Sequence, residues 1–289
     1  MSPDQAAPQR LHDRGEAFAH TAQAVVDLAR GCSDDDLAQP TECPGWTVHD
    51  QISHVVGVEA RLGGHKDPRV EMPHYEHIRN DLGKKVEYAV EVRRGRTGAE
   101  VVAELQDVLA QRLATLRSPD LTDTTIIAGP FGPEQAAIVL LLRTFDVWTH
   151  EQDIRSALGQ PGNLDSPAAA VVVGSVMTQL PKVVARGAEV EPGGSVVIDV
   201  TGPGSAVAAR GGVQVELDEQ GRVRGRAIAP ALVDPLLDHP RDGQVTIRLS
   251  TEAFTRRAAG RRSVIETPYE VVGDESIARR VLEALVITH

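Results

Sequence analysis

A loop rich in proline and glycine, GQPGNLDSP at residues 159–167, separates two parts of the chain whose apolar residues follow different periods. Before this loop, apolar residues recur every three to four positions, which is the period of an amphipathic helix. After it, short segments of five or six residues are rich in valine and alternate in the manner of strands. The change of period predicts two domains, residues 1–160 and residues 161–289, with the boundary in the loop.

The first part predicts four helices joined by loops. Periodic apolar positions and breaker residues place these helices at about residues 14–30, 48–63, 99–116 and 134–158. Thr47 precedes the second helix and is a suitable N-cap, because its hydroxyl can accept a hydrogen bond from a backbone N–H of the first turn. Four helices of this length are typical of a bundle.

The second part predicts a smaller domain with a sheet. A helix at residues 168–180 is followed by strand-like segments at SVVIDV, AVAAR, VQVELD and VTIRLS, and then by two short helices at about residues 252–259 and 276–285. Helices that do not alternate strictly with strands favour an α+β arrangement. The fold class predicted for the whole chain is therefore α+β, a four-helix bundle followed by a smaller domain with a short-stranded sheet.

Charge and cysteine content restrict the class of partner. The chain has 30 basic and 41 acidic residues and a net charge of −11, whereas nucleic acids and anionic membranes bind concentrated positive charge. We therefore expect a small-molecule substrate, no nucleic-acid or membrane partner, and a monomer or small homo-oligomer. Three features favour a cytoplasmic location. The chain has only two cysteines, Cys32 and Cys43, its N-terminus has no apolar run, and it has no stretch of about 18 consecutive apolar residues.

Three polar residues at helical positions form a candidate metal site. Asp146 and His150 lie one turn apart in the fourth helix, in an apolar segment that includes Leu142 and Trp148, and His54 lies at the border of the apolar face of the second helix. Burial of a carboxylate and an imidazole costs several kcal/mol unless a partner pairs with them, and a divalent metal is such a partner. The spacing leaves a second interpretation open, which is a hydrogen-bonded Asp–His pair without a metal.

Neighbouring residues have structural and functional interpretations. Asp153, one turn after His150, can accept a hydrogen bond from an imidazole nitrogen and fix its tautomer, or it can pair with a nearby arginine. In the motif CPGW, the proline and glycine predict a turn, and Trp46 is expected to pack against the start of the second helix. Cys43 is interpreted as a small, partly buried structural residue.

The sequence around these positions resembles a known family. ECPGWTVHDQISHVVGVEARL and FDVWTHEQDIRSALGQP resemble the second- and fourth-helix signatures of the mycothiol-dependent maleylpyruvate isomerase family, and STEAFTRRAAGRRS resembles a stretch of the family's C-terminal domain. The motifs occur in the same order and cover most of the chain. The resemblance implies a DinB-like four-helix bundle in the first domain, which binds the metal, and a sterol-carrier-like fold in the second.

The resemblance also implies a metal and its ligands. In the family, zinc is held by a histidine of the second helix and by an acidic residue and a histidine four apart on the fourth helix, and these positions match His54, Asp146 and His150. Asp146 stands where the best-known isomerase has a glutamate, so its shorter side chain would need a closer helix or a bridging water. Arg261 matches a C-terminal arginine that the resemblance associates with activity. Its position directly after Gly260 also predicts a surface arginine at a helix end.

The activity that the resemblance implies is thiol chemistry. A thiol coordinated to zinc is deprotonated, and the mycothiol thiolate of the family adds to the cis double bond of maleylpyruvate, so that rotation and elimination give fumarylpyruvate. Arg61 and Arg143, on the helices that carry the ligands, are predicted to bind the anionic cofactor or substrate. Two alternatives stay open: a mycothiol S-transferase of the DinB type, and a noncatalytic protein that binds a small or lipid-like ligand in its second domain.

Overall fold

The computed structural model describes residues 3–205, 207–239, 241 and 243–287. The chain divides into two compact units, Met1–Gly162 and Asn163–His289. The first unit is built from helices and one small hairpin, and the second combines helices with a sheet. The predicted α+β fold class, a helical bundle followed by a smaller unit with a short-stranded sheet, is confirmed.

The first unit is a bundle of four long helices with two shorter ones. Its elements are α1 (Pro3–Gly31), α2 (Asp34–Leu37), α3 (Val48–Leu62), α4 (Asp81–Arg94), α5 (Gly98–Leu116), β1 (Ile126–Gly129), β2 (Gly132–Gln135) and α6 (Ala136–Leu158). The four predicted helices correspond to α1, α3, α5 and α6, although α1 begins earlier than its apolar period indicates. Thr47 caps α3 as predicted, since its hydroxyl accepts from the Asp50 N–H and the Asp50 carboxylate accepts from the Thr47 N–H.

The apolar faces of the four long helices meet in one core. Each helix contributes fully buried aliphatic or aromatic side chains at helical spacing, among them Phe18, Val25, Ile52, Val55, Leu105, Leu109, Leu140 and Val147. Burial of one such side chain contributes about 1.5–3 kcal/mol. The same packing holds α3 against α6, the two helices that carry the candidate ligands.

Helix α4 and the β1–β2 hairpin were not predicted from the sequence. The buried face of α4 includes Glu87 and Arg93, and the Arg93 guanidinium pairs with Asp67 at 3.3 Å and with Glu104 at 2.7 Å. Charged residues therefore occupy core-facing positions of this helix, so its apolar residues do not show a clear helical period. The hairpin strands have four residues each and lack a regular apolar alternation, so the sequence carries no strand pattern at these positions.

The second unit packs helices on a five-stranded sheet. Its elements are α7 (Pro167–Lys182), β3 (Ser195–Thr201), β4 (Val207–Leu217), β5 (Val223–Ala227), α8 (Val233–Asp238), β6 (Gln244–Ser250), α9 (Thr251–Ala258), β7 (Glu270–Val272) and α10 (Glu275–Ala284). A π-helical turn at Val183–Gly187 extends α7. The strand order is β5-β4-β3-β6-β7, with β3 and β6 parallel and all other neighbours antiparallel.

Two of the predicted strands are one strand in the structure. The segments AVAAR and VQVELD were separated in the sequence analysis by the pair Gly211 and Gly212, but both glycines lie inside β4. A side chain at Gly211 would come within 2.9 Å of the Met177 sulfur, and one at Gly212 would come within 3.0 Å of Ile228. These glycines permit close packing on the strand and do not form a turn. Ala206, the first residue of the predicted AVAAR strand, lies outside the described residues.

One segment of the described chain resembles a membrane helix in composition. Pro167–Gly187, which is α7 with its π-helical turn, is long and apolar enough to cross a bilayer, but half of its tested window is buried inside the protein. Core helices of soluble proteins have the same property. Within the second unit α7 packs against β4 and β5, so its apolar surface is explained by the fold of that unit.

Candidate metal centre

Helices α3 and α6 bring three polar side chains of the sequence prediction together. One ligand atom each from His54, Asp146 and His150 lies within 4.8 Å of the other two. The His54 Nε2 to Asp146 Oδ2 distance is 3.1 Å, and the His150 Nε2 to Asp146 Oδ1 distance is 3.6 Å. The imidazole rings of His54 and His150 are themselves in contact, with their centroids 4.4 Å apart.

The geometry of the three side chains fits a zinc-sized ion. In a tetrahedral zinc site with bonds of about 2.0–2.1 Å, neighbouring ligand atoms lie about 3.4 Å apart, and the two histidine–carboxylate distances of 3.1 Å and 3.6 Å are close to this value. Two imidazole nitrogens and one carboxylate oxygen form a donor set that zinc takes in catalytic sites, where a fourth position is left for water or substrate. The shorter side chain of Asp146 reaches His54 directly, because α6 lies close enough to α3.

Burial distinguishes the three candidate ligands. The side chains of His54 and His150 are 5% and 7% exposed, whereas that of Asp146 is 33% exposed. The imidazoles are therefore enclosed by protein, whereas part of the Asp146 side chain is exposed. A small molecule can approach the cluster from the side of Asp146.

The protonation of the cluster is set by burial and by its neighbours. Burial lowers the pKa of the His54 imidazole to about 4, against the attraction of Asp146. Burial alone would also lower the pKa of His150, but the carboxylates of Asp146 and Asp153 outweigh it and raise that pKa. Burial would raise the pKa of Asp146, yet Arg143 and the two histidines hold it well below its usual range. The cluster thus combines an ionised carboxylate with one histidine that is neutral at physiological pH.

A buried ion-pair network supports Asp146. The Arg143 guanidinium donates through Nη1 to Asp146 Oδ2 at 2.8 Å and through Nε to Glu59 Oε1 at 2.6 Å. Glu59 also accepts from Arg112 Nε at 3.1 Å. Glu59, Arg112 and Arg143 are all buried, so each charge needs the others. The sequence analysis predicted Arg143 as an anion binder, and the structure shows two carboxylates of this chain as its partners.

The other two predicted anion binders each donate to a backbone carbonyl of their own unit. Arg61 is exposed in the last turn of α3, where its guanidinium donates to the Lys85 carbonyl at 3.4 Å. Arg261 belongs to the second unit and follows α9. Its N–H donates to the Arg256 carbonyl, and Gly260 has a φ of +69°, so Arg261 occupies the end of a Schellman-type helix terminus. A substrate-binding role for Arg61 and Arg261 remains a prediction.

The CPGW turn contacts the cluster more extensively than its sequence indicates. The Trp46 ring lies 5.1 Å from the His54 ring and 5.8 Å from the His150 ring between centroids, and its Nε1 donates to Glu87 Oε2 at 2.9 Å. Gly45 has a φ of +81°, which a glycine adopts without strain and which turns the chain toward the cluster. Trp46 contacts α3 at His54, in the middle of the helix, and lies against both imidazoles; its packing on the first turn of α3 stays a prediction.

A second missed residue is Gln51, which lies on α3 one turn before His54. Its side-chain oxygen contacts His150 Nδ1 at 2.5 Å, and Asp153 Oδ2 lies 3.4 Å from the same nitrogen. The predicted contact between Asp153 and an imidazole nitrogen is therefore present, with Gln51 as the nearer partner. The signal in the sequence was a polar residue one turn from His54 on an otherwise apolar helix face.

Comparison with protein families gives a match within the first unit, and comparison with protein sequences gives two relatives. A family model described as the mycothiol maleylpyruvate isomerase N-terminal domain matches residues 18–155. Two relatives from strains of Mycobacterium tuberculosis, Uncharacterized protein MT0763 and Uncharacterized protein Rv0738, are each 30% identical over 162 residues. The matched region is 56% of this chain and 73% of each relative.

Comparison with solved structures extends over both units. A crystal structure of the mycothiol-dependent maleylpyruvate isomerase aligns with a TM-score of 0.50, and a histidine-to-alanine mutant of that enzyme aligns with a TM-score of 0.53. Each alignment covers 93% of this chain and 96% of the other, at 16% sequence identity. At this identity the likeness shows a shared fold.

Proposed function

The chain belongs to the mycothiol maleylpyruvate isomerase family, and from this premise we propose that it is a zinc-dependent enzyme that uses mycothiol to attack a small electrophile. The reaction we propose is the cis–trans isomerisation of maleylpyruvate or a related diacid. The observation that carries the proposal is the cluster of His54, Asp146 and His150, whose ligand atoms lie within 4.8 Å of one another on two packed helices.

Each side chain of the cluster would supply one ligand to the metal. His54 and His150 would each offer a ring nitrogen, and Asp146 would offer a carboxylate oxygen. Bound zinc would lower the pKa of a coordinated thiol, so that the thiolate is present at neutral pH. The ion pair with Arg143 keeps Asp146 ionised, and the Trp46 ring shields both imidazoles from water. The exposed edge of Asp146 is the side from which we expect the thiol to enter.

The isomerisation needs no oxidant and no reductant. The thiolate sulfur forms a bond to one carbon of the cis double bond, and the electron pair of that double bond moves onto the conjugated carbonyl oxygen. The remaining carbon–carbon single bond rotates, and loss of the same thiolate restores the double bond as the trans isomer. The protein therefore has to hold the thiol, orient the diacid and admit rotation.

A diacid substrate requires a positive partner in a protein of net charge −11. We propose Arg261 for this role, because a guanidinium can bind a carboxylate through two parallel hydrogen bonds. Arg61, exposed on α3, and Arg143 are the proposed binders of the anionic cofactor. In an assay, Arg261→Gln should raise KM for diacids and leave KM for an uncharged electrophile unchanged.

A thiol-dependent activity screen tests the proposed function. The full chain is stripped of metal with a chelator and assayed with and without added zinc, with mycothiol or another thiol, on cis-enediacids and on simple electrophiles that carry a leaving group. We expect turnover that needs both zinc and a thiol and that is lost in His150→Ala. Turnover of the leaving-group electrophiles alone would identify an S-transferase. If the protein retains a small or lipid-like ligand but shows no thiol-dependent turnover of any electrophile, the result would support the noncatalytic alternative and contradict the proposal.

We further propose that the partner molecules are small and anionic and that the enzyme works in the cytoplasm, where a thiol cosubstrate stays reduced. The acidic net charge supports the first point, since it disfavours polyanions as partners. Cell fractionation with a tagged full chain checks the location. Accumulation in the membrane fraction would contradict it.

A further inference from the structure

We propose that Gln51 and Thr41 are positioning residues that make Nε2 the metal-facing nitrogen of His150. This inference rests on the proposed metal site, but it concerns the tautomer of His150, which exists with or without a metal. It assigns a role to the loop that contains the ECPGW motif. A chain of hydrogen bonds runs from a backbone carbonyl of that loop to the His150 ring.

The chain begins at the Trp46 carbonyl. This oxygen accepts from the Thr41 N–H at 3.0 Å and from the Thr41 hydroxyl at 2.9 Å. A carbonyl oxygen can only accept, so the single hydroxyl proton of Thr41 is directed to it. The Thr41 oxygen is then left as an acceptor, and it receives the Gln51 side-chain N–H at 2.7 Å and the Cys43 N–H at 3.2 Å.

The orientation of the Gln51 amide follows from this. An amide has a donor end and an acceptor end, and the hydrogen bonds around it decide which atom is which. Since its nitrogen donates to Thr41, its oxygen points at His150 Nδ1, 2.5 Å away. Gln51 is fully buried, so no water competes for either end.

The acceptor that faces Nδ1 determines the His150 tautomer. Gln51 Oε1, 2.5 Å away, can only accept, so Nδ1 carries the hydrogen, whereas Asp153 Oδ2 at 3.4 Å lies beyond the usual length of such a hydrogen bond. In the neutral ring the lone pair is then on Nε2, the atom that lies 3.6 Å from Asp146 Oδ1 in the cluster. Hydrogen bonds from the outer nitrogen of a ligating histidine fix its tautomer and its ring orientation in the same way in other metal sites.

The loop therefore contributes twice to the centre. Its first part supplies the Thr41 hydroxyl, and its last part supplies the Trp46 carbonyl that orients this hydroxyl and the indole that packs on both imidazoles. The glycine between them gives the turn that brings the two parts together. A motif outside the ligand-bearing helices thereby sets which nitrogen of His150 is available.

Four variants of the full chain test the proposal. Gln51→Leu removes the acceptor with little change of length, Gln51→Glu keeps an acceptor oxygen, and Thr41→Val removes the hydroxyl that fixes the amide. Gln152→Leu is the matched control, because Gln152 is also a buried glutamine but donates to the Gly162 carbonyl at 3.1 Å. Two quantities are measured: the zinc dissociation constant by chelator competition, and the His150 tautomer in the metal-free protein by long-range ¹H–¹⁵N NMR at alkaline pH.

We expect Gln51→Leu to weaken zinc binding about 10–100-fold, the usual effect of losing an outer partner of a ligand, and to populate the other His150 tautomer. Thr41→Val should change both quantities in the same direction by less. Gln51→Glu and Gln152→Leu should keep the wild-type tautomer and affinity. An Nδ1-protonated His150 and an unchanged affinity in Gln51→Leu would overturn the proposal. If wild type itself binds no zinc, the proposed function fails, and the tautomer measurement still decides this inference.

Discussion

Asp146 in the first unit and Asp199 in the second are both carboxylates surrounded by nitrogen donors, but their partners differ in kind. Asp199 accepts from Arg210 Nε and Arg248 Nε, each at 2.9 Å, and its side chain is 3% exposed. Asp146 accepts from one arginine, lies beside two imidazoles, and is 33% exposed. The surroundings of Asp199 are closed to solvent, and those of Asp146 are open to it.

The difference separates a structural ion pair from a candidate ligand site. The sheet register places Arg210 and Arg248 directly opposite Asp199 on the two neighbouring strands. A guanidinium stays protonated at all ordinary pH values and has no lone pair for a metal. An imidazole can release its proton and coordinate. A depressed carboxyl pKa is common to Asp146 and Asp199, so the chemistry of the neighbours decides the role.

The largest effect in this comparison is expected for loss of a ligand histidine. His54→Ala or His150→Ala should weaken zinc binding about 1000-fold, since three protein ligands share a binding free energy on the order of 10–16 kcal/mol. Metal content per chain after dialysis measures this, and circular dichroism checks that the variants stay folded. Asp199→Asn is the matched control and should retain wild-type zinc. Loss of zinc in Asp199→Asn as well would contradict the distinction between the ligand site at Asp146 and the structural ion pairs of Asp199.

A second effect is expected when the network behind Asp146 is opened. Glu59→Gln leaves the buried guanidinium groups of Arg112 and Arg143 beside a neutral amide, which should destabilise the first unit by about 3 kcal/mol. Urea unfolding followed by tryptophan fluorescence reports this unit, because it contains both tryptophans, Trp46 and Trp148.

The control for this prediction is an exposed ion pair in the same unit. Asp81 pairs with Lys84 on the surface of α4 at 3.5 Å, and such pairs contribute little. Asp81→Asn should therefore leave the unfolding curve unchanged. A Glu59→Gln curve that matches the curve of this control would show that the buried network is not needed for the bundle.

A smaller effect is expected for the closed site of the second unit. Asp199→Asn should destabilise that unit by about 1 kcal/mol, less than for a fully buried pair, because Arg210 and Arg248 are partly exposed and screened by solvent. Hydrogen exchange of the β3 amides should become faster, with no change in the tryptophan-detected unfolding of the first unit. Equal changes in both units would contradict the separation of the two sites.

The smallest effect is a pH dependence of the Asp199 contribution. Burial would raise the pKa of Asp199, but hydrogen bonds from Arg248 and Arg210 outweigh it and lower that pKa. A carboxyl whose folded pKa is depressed stabilises the fold above its unfolded pKa of about 3.9 and loses this contribution as the pH falls. The difference in β3 exchange between wild type and Asp199→Asn should therefore shrink below about pH 4. A constant difference across this range would show that the ion pairs do not contribute.

The sequence predicted the parts of the molecule that depend on local periodicity. The ligand-bearing helices α3 and α6 were visible from apolar residues at helical spacing, and Asp146 and His150 stood out because they interrupt such a pattern. His54 could be linked to them by a family resemblance. The three side chains meet because α3 packs against α6. The apolar period of each helix indicates which face is buried, but it does not determine which helix packs on that face.

The sequence could not predict contacts that depend on loop conformation or strand register. Trp46 reaches the imidazoles because the turn before α3 folds back on the helix, and Thr41 of the same loop orients the Gln51 amide. The partners of Asp199 lie 11 and 49 residues away along the chain, and no local pattern states which strands pair. The helix α4 was missed for a related reason, since Arg93 and Glu87 face its core side and pair with residues outside the helix, Arg93 with Asp67 and Glu87 with Trp46 and His77.

The most direct test of the metal centre is X-ray absorption spectroscopy at the zinc edge on the full chain loaded with one equivalent of zinc. The structure predicts a first shell of nitrogen and oxygen at about 2.0–2.2 Å, including scattering from two imidazoles. The spectrum should lose one imidazole in His54→Ala and stay unchanged in Asp199→Asn. A shell with sulfur at about 2.3 Å from cysteine, or zinc without imidazole scattering, would contradict the assignment of His54, Asp146 and His150 as the ligands.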